Sequence, residues 1–257
     1  MVIRPDVELA NMSDVGCVRS VNEDYFAYIE PEDPQEFDRR GRLIMIADGM
    51  GGHQGGQVAS GLAVDAVRDC FLQAESDDAS AVLIESFQEA HRVIMEASHD
   101  SRDLNGMGTT CCAAILKHGQ LVYGSIGDSR LYLIRDGNVQ PLTEDHTLVN
   151  EMRKQGVLSA EEARTHEQRN VLTAALGSES SPIAGEFASA PIPLRPGDTL
   201  LMCSDGLHGQ VSDQEMGSVV DSQPLSEACK ELVELAKQRG GPDNITVQLL
   251  RVRDVPA

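Results

Sequence analysis

Short aliphatic runs gathered in three blocks, with long amphipathic helical patterns between them, constrain this fold more than any other feature. The first block is Tyr25–Glu30 and Leu43–Asp48, separated by the charged turn PEDPQEFDRRG. The second reads as a meander of Thr109–Lys117, Gln120–Ile126 and Arg130–Arg135, with turns at Lys117–Gly119 and Gly127–Ser129 and a closing Asp136-Gly137. Glu186–Ile192, Thr199–Ser204 and Asn244–Val252 form the third. Helical patterns over Gly56–Gln73 and Ala79–Ser98 each place their apolar residues near one face. A further helical pair, Asp213–Val220 and Ser226–Lys237, precedes the last strand. Strand blocks with paired helices between them predict an α+β fold: a central antiparallel β-sandwich with helices on both outer faces, in four layers αββα.

One segment stands apart. Thr147–Leu176 is helix-prone and highly charged, with only the short apolar set Leu148, Val149, Met152, Val157 and Leu158. It predicts a small helical flap over residues 147–176, lying on the surface outside the core. No internal repeat or Pro/Gly linker divides the 257 residues, so a single domain, 1–257, is expected. With four Tyr, five Phe and no Trp, its core must be mostly aliphatic.

The formal charge of −20 excludes two classes of partner. Nucleic acid and anionic membranes both attract basic surfaces. The N-terminal MVIRPDVELANMSD has no apolar signal core, and no run approaches the roughly 18 apolar residues of a membrane span. Cys17, Cys70, Cys111, Cys112, Cys203 and Cys229 contain no CxxC pair, and the adjacent Cys111 and Cys112 would point to opposite faces of a strand. Buried free thiols in a reducing compartment are expected, with Cys203 a core thiol and no nucleophile. The expectation is a soluble, cytoplasmic monomer.

Against this background, four aspartates are conspicuous. Asp48 in LIMIADGMGGH, Asp128 in VYGSIGDSRLYLI, Asp205 in TLLMCSDGL and Asp243 in GGPDNITVQLL each sit in a turn beside an apolar run. Any one alone is an ordinary turn former. Four converging would make a hard-oxygen pocket of the kind Mg²⁺ or Mn²⁺ selects. Asp48 is the best bridge between two ions, because Gly49, Gly51 and Gly52 let the backbone approach them. Upstream, RSVNED carries Arg19, a natural bidentate clamp for a phosphoryl group. Glu23 and Asp24 would hold water or orient Arg19, and Asn244 and His53 are further supporting candidates. The residues read as a two-metal phosphate-ester hydrolase.

The ordered series RSVNED, DGMGGH, MGTT, GDSR, LTEDH, SDGL and DNITV resembles the metal-dependent protein phosphatases of the PPM family, also called type 2C. The match runs from about Val15 to Val252, and DGMGGH with RNVLTAALG is similar to the bacterial branch, whose members oppose Ser/Thr kinases. The resemblance implies the same sandwich, and two Mn²⁺ or Mg²⁺ ions per site with a weaker third. Asp48 would bridge the pair and the Gly49 carbonyl would ligate one of them. Asp205 and Asp243 would complete the second site, and Asp128 with Asp205 the third. Arg19 would bind substrate phosphate while a metal-bridging hydroxide attacks in line. Phosphorylated proteins are the implied substrates and a Ser/Thr kinase the implied counterpart.

The chain departs from the family's animal branch at Met50, where a histidine follows the Asp-Gly pair. His53 in the same loop fits either a general acid or a helix cap, and His146 in LTEDH is expected to hydrogen-bond within its turn. The proton donor therefore stays open. Two other readings stand beside the first: a metal-dependent hydrolase of small phosphate esters, and a catalytically dead phosphoprotein-binding module.

Overall fold

The computed structural model describes residues 3–51, 55–178 and 185–254. In chain order the strands are β1 (Val7–Asp14), β2 (Asp24–Ile29), β3 (Arg42–Met50), β4 (Gly108–Thr109), β5 (Cys111–Lys117) and β6 (Gln120–Ile126). They continue as β7 (Arg130–Arg135), β8 (Asn138–Pro141), β9 (Glu186–Phe187), β10 (Ile192–Pro193), β11 (Thr199–Cys203) and β12 (Ile245–Val252). The helices are α1 (Pro34–Arg40), α2 (Gly55–Gln73), α3 (Ala79–Asp100), α4 (Leu148–Lys154), α5 (Ala160–Thr165), α6 (Asp205–His208), α7 (Asp213–Ser222) and α8 (Leu225–Gln238).

The strands form two antiparallel sheets. One has the order β1-β12-β11-β7-β8; the other runs β10-β6-β5-β3-β2, with β4 added on β3 and β9 on β6. Successive side chains of a strand point to opposite faces, and here both faces of the central strands are covered. In β3, Ile44 and Ile46 face the other sheet, meeting Leu131, Leu133, Leu200, Met202 and Leu250. Leu43, Met45 and Ala47 point outward onto α2 and α3, against Ala63, Val67, Phe71, Leu83 and Phe87. Across the molecule, Leu201, Cys203, Val247 and Leu249 pack outward on Val220, Leu225, Leu232 and Val233 of α7 and α8. The result is the expected αββα stack. Double-sided burial is also why LIMIA in β3 is apolar at every position.

Several elements depart from the sequence reading. The charged turn PEDPQEFDRRG is a helix, α1, capped by Asp33, whose carboxylate accepts from the backbone N–H of Gln35 and Glu36, with Pro34 at the first position. Phe37 of α1 lies under two guanidiniums, with the Arg4 and Arg42 carbons 3.8 and 5.0 Å from the ring centroid. Arg42 is buried and donates to both carboxylate oxygens of Asp6 at 2.9 Å, while its Nε lies 3.2 Å from Glu30. Glu30 also takes Arg4 at 2.5 Å and the hydroxyl of Tyr28.

The edge strands β1 and β8 were not predicted, and Glu186–Ile192 is two short strands, β9 and β10, with an irregular link between them. Thr109–Lys117 is interrupted at Thr110, which separates β4 from β5. Cys111 and Cys112 do face opposite sides of β5. Contrary to expectation, Cys17 is exposed and Cys70 half-buried, because Cys17 sits in a surface loop and Cys70 near the rim of α2. Among the described residues no helix is long and apolar enough to cross a membrane.

Candidate active site

Antiparallel pairing carries the sequence-predicted aspartates to one end of the sandwich. Cys203 of β11 pairs with both Arg130 and Val247, so the end of β11 lies beside the starts of β7 and β12. Asp205 just after β11, Asp128 just before β7 and Asp243 just before β12 therefore share that end. In the facing sheet, Asp48 of β3 is the register partner of Asp24 of β2. Hydroxyls tie the sheets together here: Ser204 and Thr246 donate to Asp24 Oδ2 at 2.8 and 2.6 Å, and Thr110 Oγ1 lies 2.7 Å from Ser129 Oγ.

The carboxylates act on one another. Burial first, and then repulsion from Asp24, Asp205, Asp128 and Asp243, holds the Asp48 carboxyl well above the usual range. Burial and the charges of Asp243 and Asp24 push Asp205 up to about 7. Asp24 rises to about 6 through burial, even though Thr246 and Ser204 hydrogen-bond to it. Asp128 is raised by burial and by Asp205 and Asp145, and burial likewise raises Glu23.

Among the described residues, no three His, Cys, Asp or Glu side chains are drawn close enough to ligate one common ion. The donor set nonetheless suits a hard divalent cation. It is all oxygen, and the buried Asp24 Oδ1 and Asp205 Oδ1 lack any hydrogen-bond partner. The backbone is tightly drawn here: a Cβ on Gly49 would stand 2.0 Å from the Gly56 carbonyl oxygen, and one on Gly206 1.9 Å from that of Asn244.

Arg19 is exposed and donates through Nη2 to Asp243 Oδ2 at 2.8 Å. That hydrogen bond raises the guanidinium's pKa further. Asn244 fixes the loop carrying Arg19. Its Nδ2 donates to the carbonyls of Val15 and Val21 at 3.0 and 2.9 Å, and its Oδ1 accepts from the Glu23 N–H at 2.8 Å. Asn244→Ala should cost about 2–3 kcal/mol in urea unfolding, at about 1 kcal/mol per lost hydrogen bond, and should raise KM by freeing Arg19. A loss under about 0.5 kcal/mol would show that other contacts order this loop.

Sequence reasoning missed several residues that shape this end. Ser204 and Thr246 were not singled out, although SDGL and DNITV contain them. His208 of α6 was missed as well. Its Nε2 lies 2.9 Å from the Asp128 carbonyl oxygen, which can only accept, so that nitrogen carries the proton. Desolvation pushes the imidazole down to about 3, so it is neutral at physiological pH. Arg130 grips Asp145 with two 2.7 Å bonds beside it. His146 departs from expectation: its Nδ1 accepts at 3.1 Å from the N–H of Gly127, in the β6–β7 turn 19 residues away, and so ties its own turn to that one. His53 and Gly52 lie outside the described residues.

Comparison with known proteins places these residues in a known family. Residues 19–250 match the family described as protein phosphatase 2C. The chain belongs to that family. The serine/threonine phosphatase stp of Listeria monocytogenes is 38% identical over 243 residues, covering 93% of each chain. The solved serine/threonine phosphatase of S. agalactiae superposes with a TM-score of 0.86 at 34% identity, covering 96% of this chain and 99% of that one. The catalytic domain of the serine/threonine protein phosphatase PstP, solved in complex with 2 manganese ions, gives a TM-score of 0.81 at 33% identity over the same shares.

Proposed function

We propose that this chain is a divalent-metal-dependent protein phosphatase that removes phosphate from phosphoserine and phosphothreonine on proteins. One observation carries the reading: in a chain of the protein phosphatase 2C family, Asp48 feels the charges of Asp24, Asp205, Asp128 and Asp243, and Arg19 stands beside Asp243. Relatives named serine/threonine phosphatases support the substrate class, and the manganese complex of PstP supports the metal. The finer assignment is two Mn²⁺ or Mg²⁺ ions with a weaker third. Asp48 with the Gly49 carbonyl would hold the pair, Asp205 and Asp243 would complete the second site, and Asp128 with Asp205 would hold the third. When bound, such ions lower the pKa of water and neutralise the phosphate dianion.

The remaining work falls to the chain. Asp24, set between the Ser204 and Thr246 hydroxyls, keeps its free oxygen aimed beside Asp48. Asn244 presents Arg19, whose guanidinium grips the nonreacting phosphate oxygens. Glu23 lies within electrostatic reach of Arg19 and helps hold it. A Ser/Thr kinase as counterpart, a monomeric state and a single domain with its flap at 147–176 belong to the same proposal.

Arg19→Ala should raise KM for a phosphopeptide about 10-fold or more while changing kcat less, since it removes binding of a charge present throughout the reaction. An unchanged KM would take Arg19 out of the phosphate site. The reading itself is tested by phosphate release from a phosphothreonine peptide and from free nucleotides, each with Mn²⁺, Mg²⁺ or EDTA. Metal-dependent release from the peptide with little from nucleotides is expected. Preference for nucleotides would favour a small-ester hydrolase, and no release from either a binding module.

A further inference from the structure

Beside the aspartates opens a cavity of about 600 Å³ whose lining includes Asp128, Asp205 and His208 together with residues of α5 and of the turn that follows it. Its size is that of a pocket for a small ligand or a few side chains. Two arginines on the flap side, Arg164 of α5 and Arg169, line it.

Their lack of partners is unusual in this molecule. Acidic side chains outnumber Lys and Arg by 41 to 21, so cations readily find oxygen acceptors. Among the described residues, every Lys and Arg side chain hydrogen-bonds or ion-pairs except Arg102, Arg164, Arg169 and Arg195. Two of the four face the same cavity.

The cavity's own acids do not compete for them. Asp145 is held by Arg130 at 2.7 Å, Glu144 by Lys154 at 3.1 Å and Glu215 by Arg239 at 2.6 Å. Asp213 accepts from the Tyr132 hydroxyl at 3.1 Å and lies 3.9 Å from Arg130. The uncompensated positive charge of this cavity is therefore on Arg164 and Arg169 of the flap, in the same cavity that Asp128 and Asp205 line.

We propose that Arg164 and Arg169 bind a second anionic group, a carboxylate or a phosphate, on the same polypeptide whose phosphoresidue occupies the aspartate site. The inference rests on the phosphatase reading above. A protein of charge −20 repels free anions. An anion tethered to an already docked phosphoresidue arrives at high effective concentration, so weak exposed arginines suffice to select it. The cavity then sets a preference for acidic or multiply phosphorylated segments.

The test measures kcat and KM with Mn²⁺ for phosphothreonine peptides with neutral flanks, with a glutamate placed at successive flanking positions, and with a second phosphothreonine there. Wild type is compared with Arg164→Gln/Arg169→Gln and with Arg164→Glu/Arg169→Glu. Wild type should favour an anionic flank by about 5- to 10-fold, through KM, as two partly exposed charge contacts allow. Glutamate against phosphothreonine identifies which anion is preferred. The Gln pair should lose the preference and keep wild-type turnover of the neutral peptide, and the Glu pair should favour a lysine flank. No anionic preference in wild type, or one that survives in the Gln pair, overturns the proposal while leaving the phosphatase reading intact. No turnover of any peptide would overturn both.

Discussion

Asp48→Asn should abolish phosphate release at any Mn²⁺ or Mg²⁺ concentration, a loss of about 10³-fold or more in kcat, because a neutral amide cannot bridge two cations. The fold should survive. The contacts that place Asp48 are made by its backbone: its N–H donates to Thr110 Oγ1, and its carbonyl accepts from the Thr110 N–H and Thr109 Oγ1, each at 2.9 Å. Asn keeps all three. The substitution also removes one member of a mutually repelling carboxylate set, so metal-free protein should melt no lower than wild type. The checks are phosphate release across a metal titration and thermal melting in EDTA. A folded variant with turnover near wild type would remove Asp48 from the bridging role.

Arg42→Ala should cost about 3–5 kcal/mol of stability, the usual consequence of removing one partner from a buried ion network. The Glu30 side chain is 1% exposed and the Arg42 side chain 3%, so alanine leaves the Glu30 carboxylate enclosed with only Arg4 and Tyr28 beside it. Asp6 loses both of its bonds from Arg42, and one of the two cations over Phe37 disappears. Arg42 opens β3 and Asp48 lies near its other end, about 20 Å away at the rise of a strand. Turnover by the fraction that stays folded should therefore hardly change. Urea unfolding monitored by circular dichroism measures the loss. A cost below about 1 kcal/mol would mean that water replaces the guanidinium and that the network contributes only as a surface pair does.

What could be read from the sequence follows from where each residue's partners lie. The central strands were legible because apolar runs such as LIMIA and TLLMC have no other use than double-sided burial. Helices α2 and α3 were legible from their periodicity. The edge strand β1 was not: VELANMSD mixes polar and apolar residues because much of it is only half-buried beside β12. In α1 the cap and the helical proline at Asp33-Pro34 were present but read as turn residues, since Pro and a cluster of charges mark turns as often as helix starts.

The aspartates showed for a local reason, a carboxylate in a turn at the end of an apolar run. Asp24 showed only as a charge beside Arg19. Its burial against Ser204 and Thr246 depends on two sheets closing face to face, across 180 and 222 residues of chain. The same holds for His208 against Asp128, 80 residues apart. Nothing in a linear run announces which strand ends become neighbours.

Anomalous diffraction from crystals soaked in Mn²⁺ addresses the central claim most directly, because it locates the ions without reference to turnover. Two strong peaks should appear at this end of the sandwich, both within ligand distance of Asp48, with Asp205 and Asp243 reaching one of them. A weaker third peak is expected between Asp128 and Asp205. Manganese bound elsewhere, or a single ion that Asp48 does not touch, would contradict the two-metal site.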